Sequence, residues 1–298
     1  MDHFSPPPPQ CQTATRPELP IAAIVQKIEQ FEPIADVAGK IMAVMNDPAC
    51  GTSDLADIIH CEPSLTANVL KLANSAYFGL PGKLADTRQA IIFLGMTQVV
   101  DLVLVAACAA HYGSAHNGYG LARGELWRSA VTGAVLAGDL AQVKGIAPGV
   151  VFSGALMRDI GKIVLTPYVQ ARRDQLLEQV EHVGIPFLEA ERRLLGVDHA
   201  QVGALVAKKW HFPDSLQSIL GNHHHPCLAT RCPVEASIVH VADALCRQLD
   251  IGVGIDDPSY LPDEQAARLL GLSETVLQEV IEGLWRKMSR VETLFGAV

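Results

Sequence analysis

From Leu19 onward the apolar residues recur every three or four positions in one segment after another, and period-two alternation with β-branched enrichment is nearly absent. Ile21, Ile24, Val25 and Ile28 fall on one helical face, as do Val37, Ile41, Val44 and Met45. That spacing matches the 3.6-residue turn and not the two-residue repeat of a strand. The chain is therefore expected to be all-α. With 298 residues, 49% of them hydrophobic, it has enough apolar surface to bury a large core.

Punctuation divides the pattern into elements. Ser53 is placed to cap a helix over Asp54–His60, with Leu55, Ile58 and Ile59 on its apolar face. Pro63 opens a helix over Ser64–Ala76, with Leu65, Val69, Leu72 and Ala76 on one face. A glycine- and proline-containing loop, 74–82, stops it, and Asp86 caps the next helix over Thr87–Leu94, which Gly95 ends. Met96–His111 is the most apolar helix and is expected at the centre. Gly113–Gly120 reads as a flexible connector between two helical subdomains. Further helices are expected over 123–143, 148–166, 168–182, 187–195, 199–210, 214–224, 233–249 and 273–290, with residues from Ile251 to Pro262 as an exposed loop. The division is thus a Pro-rich disordered leader (1–18), an N-terminal helical part (19–112), the connector (113–120), a helical core (121–250), and a loop with a C-terminal helix (251–298).

Composition excludes several functions. The net charge of −9 comes without a dense Lys/Arg stripe, which disfavours nucleic-acid binding. No apolar run approaches the roughly 20 residues that span a bilayer. No basic segment followed by an apolar one opens the chain, so no export signal is expected and the protein reads as cytoplasmic. The seven cysteines are scattered without a Cys-x-x-Cys pair, against both a disulfide framework and a zinc ribbon. Cys227 and Cys232, close behind three histidines, match no common zinc spacing. There is neither a phosphate-binding glycine loop nor a Gly-x-Ser-x-Gly elbow. Trp127, Trp210 and Trp285 read as packing anchors.

Against this apolar background, Phe152–Leu165 introduces Arg158, Asp159 and Lys162 within one helical run. Ionisable groups are rarely buried unless paired, so the cluster marks either a site or an internal ion network. His199 at a helix start, the run His223-His224-His225, and Asp243 in a later apolar helix complete the set. Each alone is ordinarily a packed or solvated side chain. In this order on successive helices they say more.

That order resembles the HDOD family, the output-domain branch of the HD phosphohydrolase superfamily, from Phe31 to about Leu249. The N-terminal half carries Glu62-Pro-Ser-Leu-Thr-Ala-Asn-Val-Leu-Lys-Leu-Ala-Asn74-Ser-Ala-Tyr77-Phe78-Gly79, then Gln89-Ala90-Ile91 and Leu94-Gly95. The second half is similar to the HD helical core in Leu126-Trp127-Arg128-Ser129, Gly154–Lys162, His199–Leu205, Lys209–Pro213, His223-His224 and Ala242-Asp243. The resemblance implies an N-terminal helical subdomain packed on an HD-like core, and a role in bacterial signal transduction.

The resemblance also locates departures. Enzymatic HD proteins bind metal through a first His, an adjacent His-Asp pair and a distal Asp. Those positions fall here at Ser129, Arg158, Asp159 and Asp243, so both imidazoles are missing. Histidines of dinuclear relatives match His199, His223 and His224, which are present. Lys162 matches a phosphate-contacting lysine of related enzymes. A guanidinium stays protonated and repels a cation. Two unit charges about 4 Å apart at an effective dielectric of 20 interact by roughly 4 kcal/mol, and a divalent ion feels about twice that. Without a bound metal no hydroxide is activated.

The expectation is therefore a non-catalytic output or scaffold protein with no metal, no cofactor and a protein partner. Two alternatives are a phosphohydrolase using Asp159, His199, His223, His224 and Asp243, and a sensor holding a phosphorylated nucleotide messenger at Arg158 and Lys162 without cleaving it.

Overall fold

The computed structural model describes residues 21–29, most of 37–74, 82–147, 149–255 and 262–295. Calls on the leader 1–18, on Glu62, on Tyr77 and Phe78, and on Asp256 to Pro258 lie outside the described residues.

The protein is 75% helical, and its described residues form no strand. After α1 (Ile21–Glu29), the N-terminal layer holds α2 (Thr52–His60), α3 (Pro63–Ala73), α4 (Thr87–Leu94) and α5 (Met96–Tyr112). The remaining elements are α6 (Glu125–Val143), α7 (Gly149–Met157), α8 (Ile160–Ala171), α9 (Arg173–Leu177) and α10 (Phe187–Leu195). They continue with α11 (His199–Lys209), α12 (Asp214–Asn222), α13 (Pro233–Gln248), α14 (Glu264–Leu270) and α15 (Glu274–Phe295). The Asp86 cap forms as expected, its carboxylate accepting from the Gln89 amide. Helix α2 instead starts one residue before Ser53, and Asp54 accepts from the Gly51 amide.

The core centres on α6, which is buried from Leu126 to Ala141 on most of its circumference because α7, α13 and α15 surround it. Helix α5 packs on α3 and α4 on one side and on α7 on the other, so a single apolar core runs through both halves of the chain. The C-terminal part closes this core, α14 against α13 and α15 against α6. Helix α14 falls just after the expected loop, in residues for which the sequence analysis assigned no element. Asp263 caps it, accepting from the amides of Gln265 and Ala266.

Three expectations need correction. Gly113–Gly120 is not a flexible connector: a 3-10 turn, Asn117–Tyr119, buries Tyr119 completely and packs Gly118 on the backbone of α8. Helix 148–166 is two helices, since the chain turns at Arg158-Asp159 and resumes as α8, with Pro167 inside it. The buried face of Val164, Leu165 and Val169 holds α8 together across the amide that proline lacks. Trp127 and Trp210 anchor the core as expected, but Trp285 is half-exposed.

Candidate functional site

The turn between α7 and α8 decides where the charged cluster points. By leaving the helical path at Asp159, the backbone aims both Arg158 and Asp159 into the space bounded by α6, α11 and α13. Arg158 is completely buried. Its Nε donates to Asp243 Oδ1 at 2.7 Å, Nη1 to the Ala155 carbonyl at 2.8 Å, and Nη2 to Ser129 Oγ at 2.7 Å. Asp159 Oδ2 lies 3.4 Å from the same Nε. On the far side of Asp243, Arg247 one helical turn later places its Nε 3.3 Å from Oδ2. Lys162, also buried, brings Nζ to 3.0 Å from Asp159 Oδ1 and to 5.7 Å from the centre of the Tyr119 ring.

Two glycines make these approaches feasible. A methyl group on Gly133, one turn after Ser129 on α6, would meet Arg158 Nη1 at 2.4 Å. One on Gly161 would meet the His199 carbonyl oxygen at 1.9 Å, so α8 and α11 cross at a distance that only glycine permits.

The three histidines meet beside Asp159. His199 opens α11, and His223 and His224 follow the end of α12. The ligand-capable nitrogens of all three lie within 4.8 Å of one another. His199 Nδ1 faces Glu191 Oε2 at 2.7 Å, while Nε2 lies 2.8 Å from His224 Nε2 and 3.6 Å from Asp159 Oδ1. His223 donates from Nδ1 to the Leu220 carbonyl at 2.8 Å, which leaves its buried Nε2 without a hydrogen-bond partner. Asp159 Oδ1 is likewise buried without an aligned donor, although Lys162 pairs with it electrostatically. Glu191 is wholly buried and accepts from the Tyr119 hydroxyl at 2.6 Å and the His199 amide at 3.1 Å.

Protonation follows from these contacts. Burial would raise Asp159, but Lys162 and Arg158 outweigh it and hold the carboxyl well below the usual range. Burial opposes Asp243 in the same way, and Arg247 and Arg158 keep it ionised. Burial would lower His199, yet the Glu191 carboxylate raises it. Burial pushes His223 down to about 4 and, with the neighbouring imidazoles, lowers His224 as well. Of the three imidazoles, His199 alone is shifted toward its protonated form, by the Glu191 carboxylate.

All the expected site residues, Ser129, Arg158, Asp159, Lys162, His199, His223, His224 and Asp243, converge. His225 is exposed, and neither Cys227 nor Cys232 joins the histidines. Sequence reasoning missed Tyr119, Gly133, Gly161, Glu191 and Arg247. For Arg247 a signal existed, because it stands one turn after Asp243 on a predicted helix. Glu191 reads as an ordinary surface residue of an amphipathic helix, and nothing in the sequence marks it as buried.

The sequence profile of the HDOD domain family matches residues 32–226. The chain belongs to the HDOD family. An HDOD domain protein of unknown function from Geobacter sulfurreducens superposes with a TM-score of 0.70, at 21% identity, over 93% of this chain and 98% of that one. A protein from Shewanella amazonensis SB2B, provisionally named a phosphohydrolase, gives 0.71 at 22% identity over 93% and 98%. A provisionally named signal transduction protein from Marinobacter aquaeolei VT8 gives 0.71 at 21% over 93% and 65%. At these identities the likeness shows the shared all-helical fold. An uncharacterised protein of Treponema pallidum is 24% identical over 208 residues, a match that spans 68% of this HDOD chain and only 39% of that relative. No described helix is long and apolar enough to cross a membrane.

Proposed function

We propose that this HDOD chain is a non-catalytic output or scaffold module of bacterial signal transduction, acting in the cytoplasm through a protein partner. The observation that carries the reading is the Arg158 guanidinium, buried between Asp243, Asp159 and Ser129. A divalent ion held by Asp159 and Asp243 would share those carboxylates with a fixed positive charge. The residues at that position do not fit a metal, and no hydrolytic step is derived through one. The site keeps the shape of an HD enzyme while its internal ion network fixes the helices. Ile92 and Phe93, 76% and 66% exposed on α4, support a contact surface on the N-terminal layer.

A nucleotide sensor at Arg158 and Lys162 gains little support, since both side chains are enclosed and engaged with Asp243 and Asp159. The reading is tested by assaying phosphodiester and phosphomonoester hydrolysis with added Mn²⁺ or Fe²⁺. Turnover that disappears in Asp243→Asn would overturn it, and no turnover above the buffer rate is expected.

A further inference from the structure

We propose that His116 makes the turn 113–121 a proton-operated clasp: the neutral imidazole holds the turn against α8, and the protonated one releases it, drawing Tyr119 off Glu191. The inference goes beyond the signalling role proposed above and does not depend on it.

The turn walls off the enclosed charged cluster on this side. Ser114, Ala115, Asn117 and Gly120 face solvent, whereas His116, Gly118 and Tyr119 are buried. Tyr119 lies over Lys162, meets His199 edge-on with ring centres 6.4 Å apart, and donates to Glu191. Lifting the turn therefore opens Lys162, Glu191 and His199 to water. Within the turn, the amides of Tyr119 and Leu121 donate to the His116 carbonyl at 2.9 and 3.3 Å, and the His116 amide donates to the Leu121 carbonyl at 2.9 Å. Three attachments hold it down. Gly118 packs on the backbone of Thr166 and Gln170, the Ile255 amide donates to the Tyr119 carbonyl, and the His116 side chain meets Thr166 Oγ1 at 3.1 Å. Of these, only the imidazole titrates near neutrality.

The hydrogen bonds fix its tautomer. Thr166 gives its hydroxyl hydrogen to the Lys162 carbonyl at 2.7 Å, so its oxygen accepts and His116 Nδ1 is the donor. Nε2 then carries the lone pair, and it is buried without a hydrogen-bond partner. A second proton has to enter there, on a residue only 3% exposed. The groups that face the ring are Lys162 on α8 and, at the end of α5, His111 and Tyr112 with their carbonyls. Beyond Tyr119 stand Glu191 on α10 and His199 on α11. Helix-end carbonyls favour a cation. Burial and the Lys162 ammonium oppose one and prevail, holding the imidazole below its ordinary value.

Acid therefore opens the clasp. The open turn takes up a proton below about pH 6.5, while the closed turn resists it until a lower pH. Closure is complete above that value and weakens as pH falls, by up to about tenfold per pH unit within the window.

Hydrogen exchange of the full chain, corrected for the chemical rate at each pH, measures the opening. The bonded amides of His116, Tyr119 and Leu121 should lose protection by up to about tenfold per unit below pH 6.5, while amides of α6 keep theirs. His116→Asn, whose amide can donate to Thr166 but takes up no proton, should show no such loss. Lys162→Met removes the facing cation, so the loss should level off at a higher pH and reach a smaller depth. That variant decides alone if His116→Asn already loosens the turn at neutral pH. No loss in the native chain, the same loss in His116→Asn, or an unchanged depth in Lys162→Met overturns the inference.

Discussion

Gly133→Ala is a one-methyl change that tests the buried arginine directly. The new Cβ would lie 2.4 Å from Arg158 Nη1 and 3.0 Å from Cζ, and Arg158 cannot retreat without leaving Asp243 or Ser129. If the guanidinium is merely squeezed, overpacking costs about 1–3 kcal/mol. If it is pushed off Asp243, a broken buried pair costs about 3–5 kcal/mol. Alanine returns about 1 kcal/mol of helix propensity in α6. The net expectation is a loss of about 0–2 kcal/mol if the guanidinium is squeezed and about 2–4 kcal/mol if it is displaced, the case that a 2.4 Å approach favours, read as a lower urea midpoint at unchanged slope. The decisive measurement is the double-mutant cycle with Arg158→Ala. In that background the methyl faces vacated space, so Gly133→Ala should be neutral or stabilising by about 1 kcal/mol, giving a coupling near 3 kcal/mol. An equal cost in both backgrounds would refute the placement of Arg158 against Gly133.

Other perturbations probe the same frame. Gly161→Ala drives a methyl onto the His199 carbonyl at 1.9 Å and should cost more than about 3 kcal/mol, or prevent soluble expression, whereas Gly82→Ala, with open space around it and no left-handed backbone, should express normally. Tyr119→Phe keeps the ring but strips a 2.6 Å donor from buried Glu191, for a loss of about 1–3 kcal/mol by urea unfolding. Asp159 and Asp243 are held below their unfolded values near 3.9, so their contribution is complete above that pH and is lost as pH falls through the folded values. The urea midpoint should therefore drop below about pH 4, less steeply in Asp243→Asn than in the native chain; parallel acid limbs would contradict this. Cys108 and Cys246, buried and pushed up to about 12, should resist a thiol reagent until the protein unfolds, while exposed Cys61 and Cys227 react at once.

Much of this molecule was legible in its residues. Helical spacing of apolar side chains determined the all-α class, and α4, α10 and the start of α5 fall where capping and glycine signals put them, because those signals act within one turn of chain. The order Ser129, Arg158-Asp159, His199, His223-His224 and Asp243 named side chains that the fold brings together. Only the tertiary structure decided how these groups meet. Whether Arg158 swings out or lies between Ser129 and Asp243 depends on Gly133, a contact across two helices that no local pattern encodes. Glu191 and Tyr119 look like surface and loop residues until α8, α10 and the 3-10 turn close around them. The sequence specifies periodicity and chemistry along the chain, whereas burial, tautomer and charge pairing are set by neighbours distant in sequence.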